Sequence, residues 1–272
     1  MSSFEGKVAV ITGAGSGIGR ELAVKLAEAG TNLALCDKNH DTLSETVELL
    51  DSDIKVFSDQ FDISDREAVF AFAEKVKQEF KQIDYLINNA GAALGTKKFA
   101  KTTQDEWEWI MNINLWGVIY GTQAFLPMIK SDADAVIVNL SSMLGLAGMV
   151  DNSAYCTTKF AVRGLSETLR MELSGQGIHV MTVHPGAVST NIIDNARADE
   201  ETKAKIKHWV SKIGSVSVED AVTQIVSGIE KKKHRVVIGE DAKKMDWLAR
   251  LFPNKYTNMV LRGMKKKLNT KD

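Results

Sequence analysis

Tyr155 and Lys159 stand four residues apart in "SAYCTTKFAVRGL". A helix starting near Ser153 would set them on neighbouring positions of one face. A free tyrosine has a pKa of about 10 and is a poor base at neutral pH. An ammonium beside it favours the phenolate and lowers that pKa. Tyr155 would then serve as a general acid/base for a proton on a hydroxyl or carbonyl oxygen. The expected packing stripe of this helix is Ala154, Ala161, Leu165, Leu169 and Leu173, with the pair beside it. A tyrosine and a lysine at this spacing also occur as a plain surface pair, so the reading depends on what else the chain supplies.

Residues 12–19 read "TGAGSGIG" and follow the apolar run Lys7–Ile11. Gly13 suits a tight turn off a strand, Gly17 a close approach of backbone to ligand, and Gly19 tight packing of helix on strand. A helix from about residue 17, with Ile18, Leu22 and Leu26 inward, would aim its N-terminal N–H groups and positive dipole end at a pyrophosphate. The run departs from G-x-G-x-x-G, because residue 18 is Ile, and it is no P-loop, because no G-K-[ST] follows. A glycine-rich turn without a ligand is the other reading. Asp37 ends "NLALCD" about 20 residues further on, where a carboxylate accepts hydrogen bonds from a ribose diol and repels a 2′-phosphate. That favours NAD over NADP. Lys38 could attract the 2′-phosphate instead, and Asp37 could simply be a strand-end turn residue.

These groups need elements to hold them. Seven short apolar runs ("KVAVIT", "NLALCD", "IKVFS", "IDYLINN", "AVIVNLSS", "HVMTVHPG", "HRVVIG") alternate with segments of helical period. Near-continuous apolar runs suit strands buried on both faces, and intervening helices suit right-handed crossovers. The expected fold is α/β: a doubly wound, seven-stranded parallel sheet with helices on both faces, of the Rossmann type. Residues 1–240 form one dinucleotide-binding and catalytic domain in this reading, and 241–272 a C-terminal helical extension. A formal net charge of -1 gives no global field toward nucleic acid. Two cysteines, Cys36 and Cys156, build no disulfide framework and fit a reduced setting. No metal-ligand spacing appears. No apolar run reaches the roughly 18 residues that span a bilayer. No leader is expected before the first strand, so a cytoplasmic setting is the expectation.

"TGAGSGIG", "NNAG" (88–91), "NINLWG" (112–117), "VNLSS" with "YCTTK", and "HPGAVST" (184–190), in this order, resemble the short-chain dehydrogenase/reductase family over about residues 5–240. The resemblance implies a catalytic tetrad. Tyr155 would exchange a proton with the substrate oxygen, and Lys159 would tune the tyrosine and bind the nicotinamide ribose. Ser142, 13 residues before Tyr155, would hydrogen-bond the substrate oxygen in preference to Ser141. Asn114 would hold a water in a proton relay from Lys159. The resemblance further implies that Gly13, Ser16, Ile18 and Gly19 line the pyrophosphate, and that Asp37 meets the ribose. Asp62 and Ile63 would flank the adenine. Asn89, Ala90 and Gly91 would close the site, and Pro185, Gly186, Val188 and Thr190 would hold the nicotinamide end. Asn88 could instead be purely structural.

The implied reaction moves a hydride between NAD(H) and a secondary alcohol or ketone. An NADP-linked ketone reductase, or a non-catalytic dinucleotide-binding regulator on the same fold, are the alternatives. The expected substrate pocket draws on Ala93, Leu94, Met143, Leu144, Leu146, Met149, Ile192, Ile193 and Trp209 and carries no obvious fixed cation. That composition suits a small lipophilic alcohol or ketone, although any one of these residues could merely pack the lid. Helices at about 105–130 and 153–175 carry surplus apolar residues (Trp109, Ile113, Trp116, Ile119 and Phe125 in the first), and the family pairs such helices into a homodimer or homotetramer. The tail carries Met245, Leu248 and Phe252, then Tyr256, Met259 and Val260, opposite Lys243, Lys244, Arg250, Lys255, Arg262 and Lys265–Lys267. Its first half, through Phe252, is expected to pack near the lid. Its second half, through Leu268, is expected to make peripheral membrane contact.

Overall fold

The computed structural model describes residues 4–50, 53–131 and 134–269, without side chains at 212, 213 and 264–269. The side chains of Lys265–Lys267 and Leu268 therefore lie outside the described residues. Seven strands form one parallel sheet: β1 (Val8–Thr12), β2 (Asn32–Asp37), β3 (Val56–Gln60), β4 (Tyr85–Asn88), β5 (Val136–Leu140), β6 (His179–Pro185) and β7 (Arg235–Ile238). Their spatial order is β3-β2-β1-β4-β5-β6-β7. Register pairs Ile11 with Leu35 on one side and with Ile87 on the other.

The apolar runs are continuous because each strand is buried on two faces. Ala9, Ile11, Leu33, Leu35, Ile87, Val138 and Val183 enter one core layer. Their alternates Val10, Ala34, Cys36, Leu86, Ile137 and Val180 enter the other. The first layer is covered by α1 (Gly17–Glu28) and α8 (Val218–Glu230), through Leu22, Leu26, Val222 and Ile225. The second is covered in large part by α3 (Arg66–Phe80) and by α5 (Gly117–Phe125), through Phe72, Val76 and Phe125. α2 (His40–Glu48), α4 (Gln104–Met111), α6 (Ser153–Glu172) and α7 (Glu200–Ile213) complete the chain as far as β7. Asn39, Asp65, Thr103, Asp199 and Ser217 cap α2, α3, α4, α7 and α8, each side chain accepting from the backbone amide three residues on.

Three expectations about faces are corrected. The buried stripe of α6 is Ala154, Thr158, Lys159, Val162 and Ser166, whereas Ala161 and Leu165 are only half-buried. The stripe is rotated because polar side chains of α6 reach inward: Ser166 receives a hydrogen bond from Asn139 of β5 at 2.9 Å. Asn139 in turn accepts from Asn88 at 2.8 Å, and Asn88 also donates to Thr122 of α5 at 3.1 Å. Asn88 is thus a structural stitch between two helices and the sheet. In the 105–130 segment, Ile113 and Phe125 are buried in the body, while Trp116 is 43% exposed and stacks on Tyr120 at 5.7 Å. In the tail, α9 (Glu240–Leu251) does pack beside β7 and the turn Met143–Gly145. However, Trp247, Leu251 and Phe252 face outward, because the inner stripe of α9 is taken by Ala242, with Met245 and Leu248 half-buried. α10 (Tyr256–Asn269) begins with Tyr256, whose hydroxyl accepts from the Gly148 amide at 3.3 Å, so the second half of the tail also touches the loop after Ser142.

Candidate active site

β1 is flanked by β2 on one side and β4 on the other, so the chain order reverses at β1 and the loops leaving β1 and β4 border a crevice at the C-terminal ends of the strands. Gly13, at φ +68, turns the chain off β1. A Cβ there would stand 2.8 Å from Ala90 Cα, so the two loops touch directly. The Thr12 hydroxyl accepts from the amides of Asn89 (3.1 Å) and Ala90 (3.0 Å). The Asn89 carboxamide donates to the carbonyls of Thr12 (2.9 Å) and Gly13 (3.0 Å). Asn89 therefore fixes the loop through its side chain. Ser16, extended at φ -159, makes no side-chain cap, and the first turn of α1 holds no acidic residue. The amides of that turn face the crevice in a field that suits an anion.

Arg20, which sequence reasoning missed, clamps this loop. Its guanidinium donates to the Gly15 carbonyl (2.7 and 3.1 Å), to the Thr42 carbonyl (2.9 Å), to the Thr46 hydroxyl (3.0 Å) and to Glu45 (2.7 Å). Asp37 accepts from the Gly15 amide at 2.9 Å and from the Asn39 amide at 3.0 Å, so its carboxylate is fixed beside the loop. Lys38 is exposed. Asp62 accepts from the amide and hydroxyl of Ser64 (2.9 and 2.7 Å), and Ile63 packs on Gly117.

The chemistry-bearing groups meet on the other side of Gly91. β5 ends at Leu140, and Ser141 and Ser142 follow. The Ser141 hydroxyl donates to the Lys159 carbonyl at 2.8 Å, a packing role. The Ser142 side chain lies beside the Tyr155 phenol, where it favours the phenolate, and it accepts from the Leu144 amide at 3.1 Å. The Lys159 ammonium lies 5.7 Å from the Tyr155 ring centre and donates to the Leu140 carbonyl at 3.0 Å. Asn114 sits in a π-helical turn, Asn112–Trp116, a deformation that often marks functional sites. Its side chain accepts from the Ala92 amide (2.8 Å) and donates to the Ala92 carbonyl (3.0 Å) and to Thr158 (3.3 Å). A Cβ on Gly91 would stand 3.3 Å from Asn114 Oδ1 and 3.4 Å from Lys159 Nζ, so this glycine keeps the space between them open.

Burial governs the electrostatics. Desolvation lowers the Lys159 ammonium to about 8. Desolvation also raises the Tyr155 phenol to about 12, against the pull of Ser142. Desolvation is the largest influence on the phenol, and the Lys159 ammonium is engaged by the Leu140 carbonyl. Beneath Ser142 lies His184 of β6, fully buried and absent from the sequence-based site. Its Nδ1 lies 3.1 Å from the Ser142 carbonyl. A carbonyl only accepts, so Nδ1 carries the proton, and Nε2 has no partner among the described residues. Its only sequence signal was a histidine before "PG".

Loop 186–190 closes the crevice. Gly186 donates to Ile238 (2.8 Å), Ser189 to Val216 (3.0 Å) and Thr190 to Val188 (2.8 Å). A Cβ on Gly17 would meet Thr190 at 3.2 Å, so this loop reaches the start of α1. Of the expected pocket residues, Leu94, Met143 and Leu146 are buried, and Leu94 packs in a small cluster with Ile110, Ala154 and Tyr155. Leu144, Met149, Ala93, Ile193 and Trp209 are half-buried, and Ile192 faces outward. Residues 191–213 are latched down by Arg197. Its carbonyl and amide pair with Gly95 and Ala93 (3.2 and 3.1 Å), and its guanidinium bridges to Asp105 (2.5 Å) over the Trp109 ring. Among the described residues no cluster of three or more His, Cys, Asp or Glu could hold a metal, and no helix is long and apolar enough to cross a membrane.

These features place the chain among α/β proteins that hold a ligand at the switch point of a parallel sheet. The short chain dehydrogenase profile matches residues 7–201, and the chain belongs to that family. A Mycobacterium tuberculosis relative named "Putative oxidoreductase SadH" is 42% identical over 271 residues, 98% of each chain. A short chain dehydrogenase/reductase from Burkholderia phymatum, solved in complex with NAD, gives a TM-score of 0.83 at 28% identity, covering 92% of this chain and 95% of that one. An alcohol dehydrogenase from the archaeon Thermococcus sibiricus, complexed with 5-hydroxy-NADP, gives 0.73 at 28% identity, covering 86% and 95%.

Burial holds His184 near pKa 4, because desolvation, Arg235 and Arg163 outweigh the Ser142 carbonyl and Asp246. An unfolded histidine titrates near 6.5. The unfolded chain therefore binds a proton between pH 6.5 and 4 that the folded chain refuses, and stability is lost as pH falls through that window. The loss amounts to about 3 kcal/mol. Denaturant unfolding at stepped pH should show it, and His184→Asn should flatten that part of the profile. An unchanged profile in the variant would assign the acid loss elsewhere.

Proposed function

We propose that the protein is an NAD-dependent dehydrogenase/reductase of secondary alcohols or ketones with lipophilic flanks. The observation that carries the reading is the convergence of Ser142, Tyr155, Lys159 and Asn114 around Gly91, next to an uncapped helix N-terminus. Gly13, Ser16, Ile18 and Gly19 would hold the pyrophosphate, and Asp37 the adenosine ribose. Asp62 and Ile63 would flank the adenine, Asn89, Ala90 and Gly91 would close the site, and Pro185, Gly186, Val188 and Thr190 would hold the nicotinamide end. The dinucleotide, when bound, supplies the hydride donor or acceptor. Tyr155, held protonated by its burial, gives its proton to a carbonyl oxygen that Ser142 also binds, and takes it back in the reverse direction. Lys159 sits where its proton can follow, with Asn114 completing the relay. Half-buried apolar side chains around Tyr155 and the latched segment favour a lipophilic substrate. In this reading residues 1–240 carry the chemistry and 241–272 cover its edge.

Tyr155→Phe should reduce turnover at least a thousandfold while leaving NAD affinity within about threefold, since only the proton donor is lost. Substantial residual turnover would rule out Tyr155 as the acid/base. A protein that binds NAD but oxidises or reduces nothing in a substrate panel would favour the regulator reading.

Asp37, fixed by two amides, supports NAD. The similar structures include both an NAD and an NADP-type complex, so the reading is decided by titration. NAD should bind at least tenfold tighter than NADP, and Asp37→Ala should narrow that ratio. A wild-type preference for NADP would mean that Lys38 outweighs Asp37 and would favour the NADP-linked reductase.

For assembly, Trp116 and Phe160 are exposed aromatic residues on adjoining elements, and such surface commonly finds a partner. We expect a homodimer or homotetramer. Light scattering at micromolar concentration should give at least twice the chain mass, and a monomer mass would refute it.

The tail shows Trp247, Leu251, Met259 and Leu261 outward beside Lys243, Lys244, Arg250, Lys255 and Arg262. That is the chemistry of a surface meeting anionic lipid. Full-length protein should co-sediment with anionic vesicles more than a truncation after Pro253. Equal pelleting of the two, or none by either, would remove the membrane contact.

A further inference from the structure

The start of the C-terminal extension reaches back into the cofactor crevice through one carboxylate. β7 ends at Ile238, and Gly239, at φ +93, turns the chain into α9. Two residues later, Asp241 Oδ2 accepts from the Ala187 amide at 2.8 Å. The two residues are 54 apart in sequence. Space is kept for this carboxylate by two glycines from different segments. A Cβ on Gly186 would overlap it, and one on Gly239 would stand 2.5 Å from Asp241 Oδ1.

The bond fixes more than Ala187. Val188 and Val216 form an isolated parallel bridge. Its two hydrogen bonds run from the Val216 amide to the Ala187 carbonyl (2.9 Å) and from the Ser189 amide to the Val216 carbonyl (3.0 Å). In such a bridge the neighbours of the bridging residue do the bonding, so the Val188 N–H points away from Val216. The amides at 186, 187, 189 and 190 are all engaged within the protein. The orientation of the Val188 peptide therefore follows from Val216 on one flank and Asp241 on the other.

We propose that Asp241 is a positioning residue for the nicotinamide end of the dinucleotide. By holding the Ala187 amide, it sets the peptide of Val188 for a ligand acceptor. This rests on the dinucleotide reading above. A carboxylate acceptor makes a stronger bond than a neutral one. The same bond ties α9 to the site, so the extension is part of the cofactor half of the protein.

Calorimetric titration with NAD and with ADP-ribose, which lacks the nicotinamide ring, tests the assignment. Asp241→Ala should weaken NAD about tenfold, the worth of one charge-assisted hydrogen bond. ADP-ribose binding should stay within about twofold of wild type. Asp241→Asn keeps a side-chain carbonyl that can accept from Ala187, and should recover most of the NAD affinity. Asp241→Ser, which keeps a polar first turn in α9 but is too short to reach Ala187, should show the same split as alanine and replaces it should that variant not fold. Equal weakening of both ligands, or no weakening of NAD, would overturn the proposal. Wild-type protein that binds neither ligand would overturn the dinucleotide reading itself.

Discussion

The contact between the loop after β1 and the loop after β4 underlies the rest of the site. Both strands are central and parallel, so their amides and carbonyls are engaged along their length. Only where they end, with neighbours on opposite sides, can backbone groups face a ligand. The Thr12 hydroxyl and the Asn89 carboxamide bind the two loops to each other. Gly13 must be glycine both for its positive φ and for the 2.8 Å approach to Ala90. With that contact made, Gly91 follows two residues after Asn89. Gly91 keeps open the space between Asn114 and Lys159. The glycine loop after β1 and the group of Asn114, Tyr155 and Lys159 thus lie at two ends of one short, bolted segment.

Burial then does two jobs at once. It partly shields the half-buried tyrosine from water, and it raises the free energy of every charge left inside. Lys159 moves toward neutrality and Tyr155 is held protonated for that common reason. His184 stays neutral and presents an N–H to the Ser142 backbone. At neutral pH the Tyr155 phenol and the His184 imidazole are therefore uncharged, while Lys159, at about 8, still largely carries its proton. A charge that developed on a substrate oxygen would meet Ser142, Tyr155 and Lys159 in a medium that screens it poorly, where preorganised donors count most.

How much of this could be read from the chain depended on how local each device is. The seven strands were legible because burial on two faces writes continuous apolar runs. Gly13, Gly17, Gly19, Asp37, Tyr155 and Lys159 were legible because their spacings encode a turn, a strand length or a helical face. Arg20 sits one residue past the glycine run, but its partners Thr42, Glu45 and Thr46 belong to another helix. Thr12 looked like a strand end, because the amides it satisfies lie 77 and 78 residues away. The stripe of α6 was misjudged by one helical position, since apolar periodicity favours Leu165 and Ala161. The packing that decides it is a hydrogen bond between Asn139 and Ser166, to which a hydrophobic pattern is blind. Phe125 turned inward for a related reason: the π turn at 112–116 shifts the phase of the helix that follows, and a fixed 3.6-residue period does not carry across it; Ile113 lies inside that turn.

The substrate side is built on a different plan from the cofactor side. Crossing bonds from at least three segments define it: Arg197 to Gly95 and Asp105, Tyr256 to Gly148, and Lys97 to the Asp151 carbonyl (2.8 Å). None of these lies in a strand of the sheet, and each joins surface segments whose composition can change without disturbing the core. Loop contacts of this kind open at lower free energy than the sheet beneath them. The segments tied by Arg197 and Tyr256 therefore rest on a few surface bonds, while Tyr155 stands on a helix packed against the sheet. That division lets the end of β5 and the first turns of α6 keep Ser142, Tyr155 and Lys159 in register while the composition of the segments around them is free to vary.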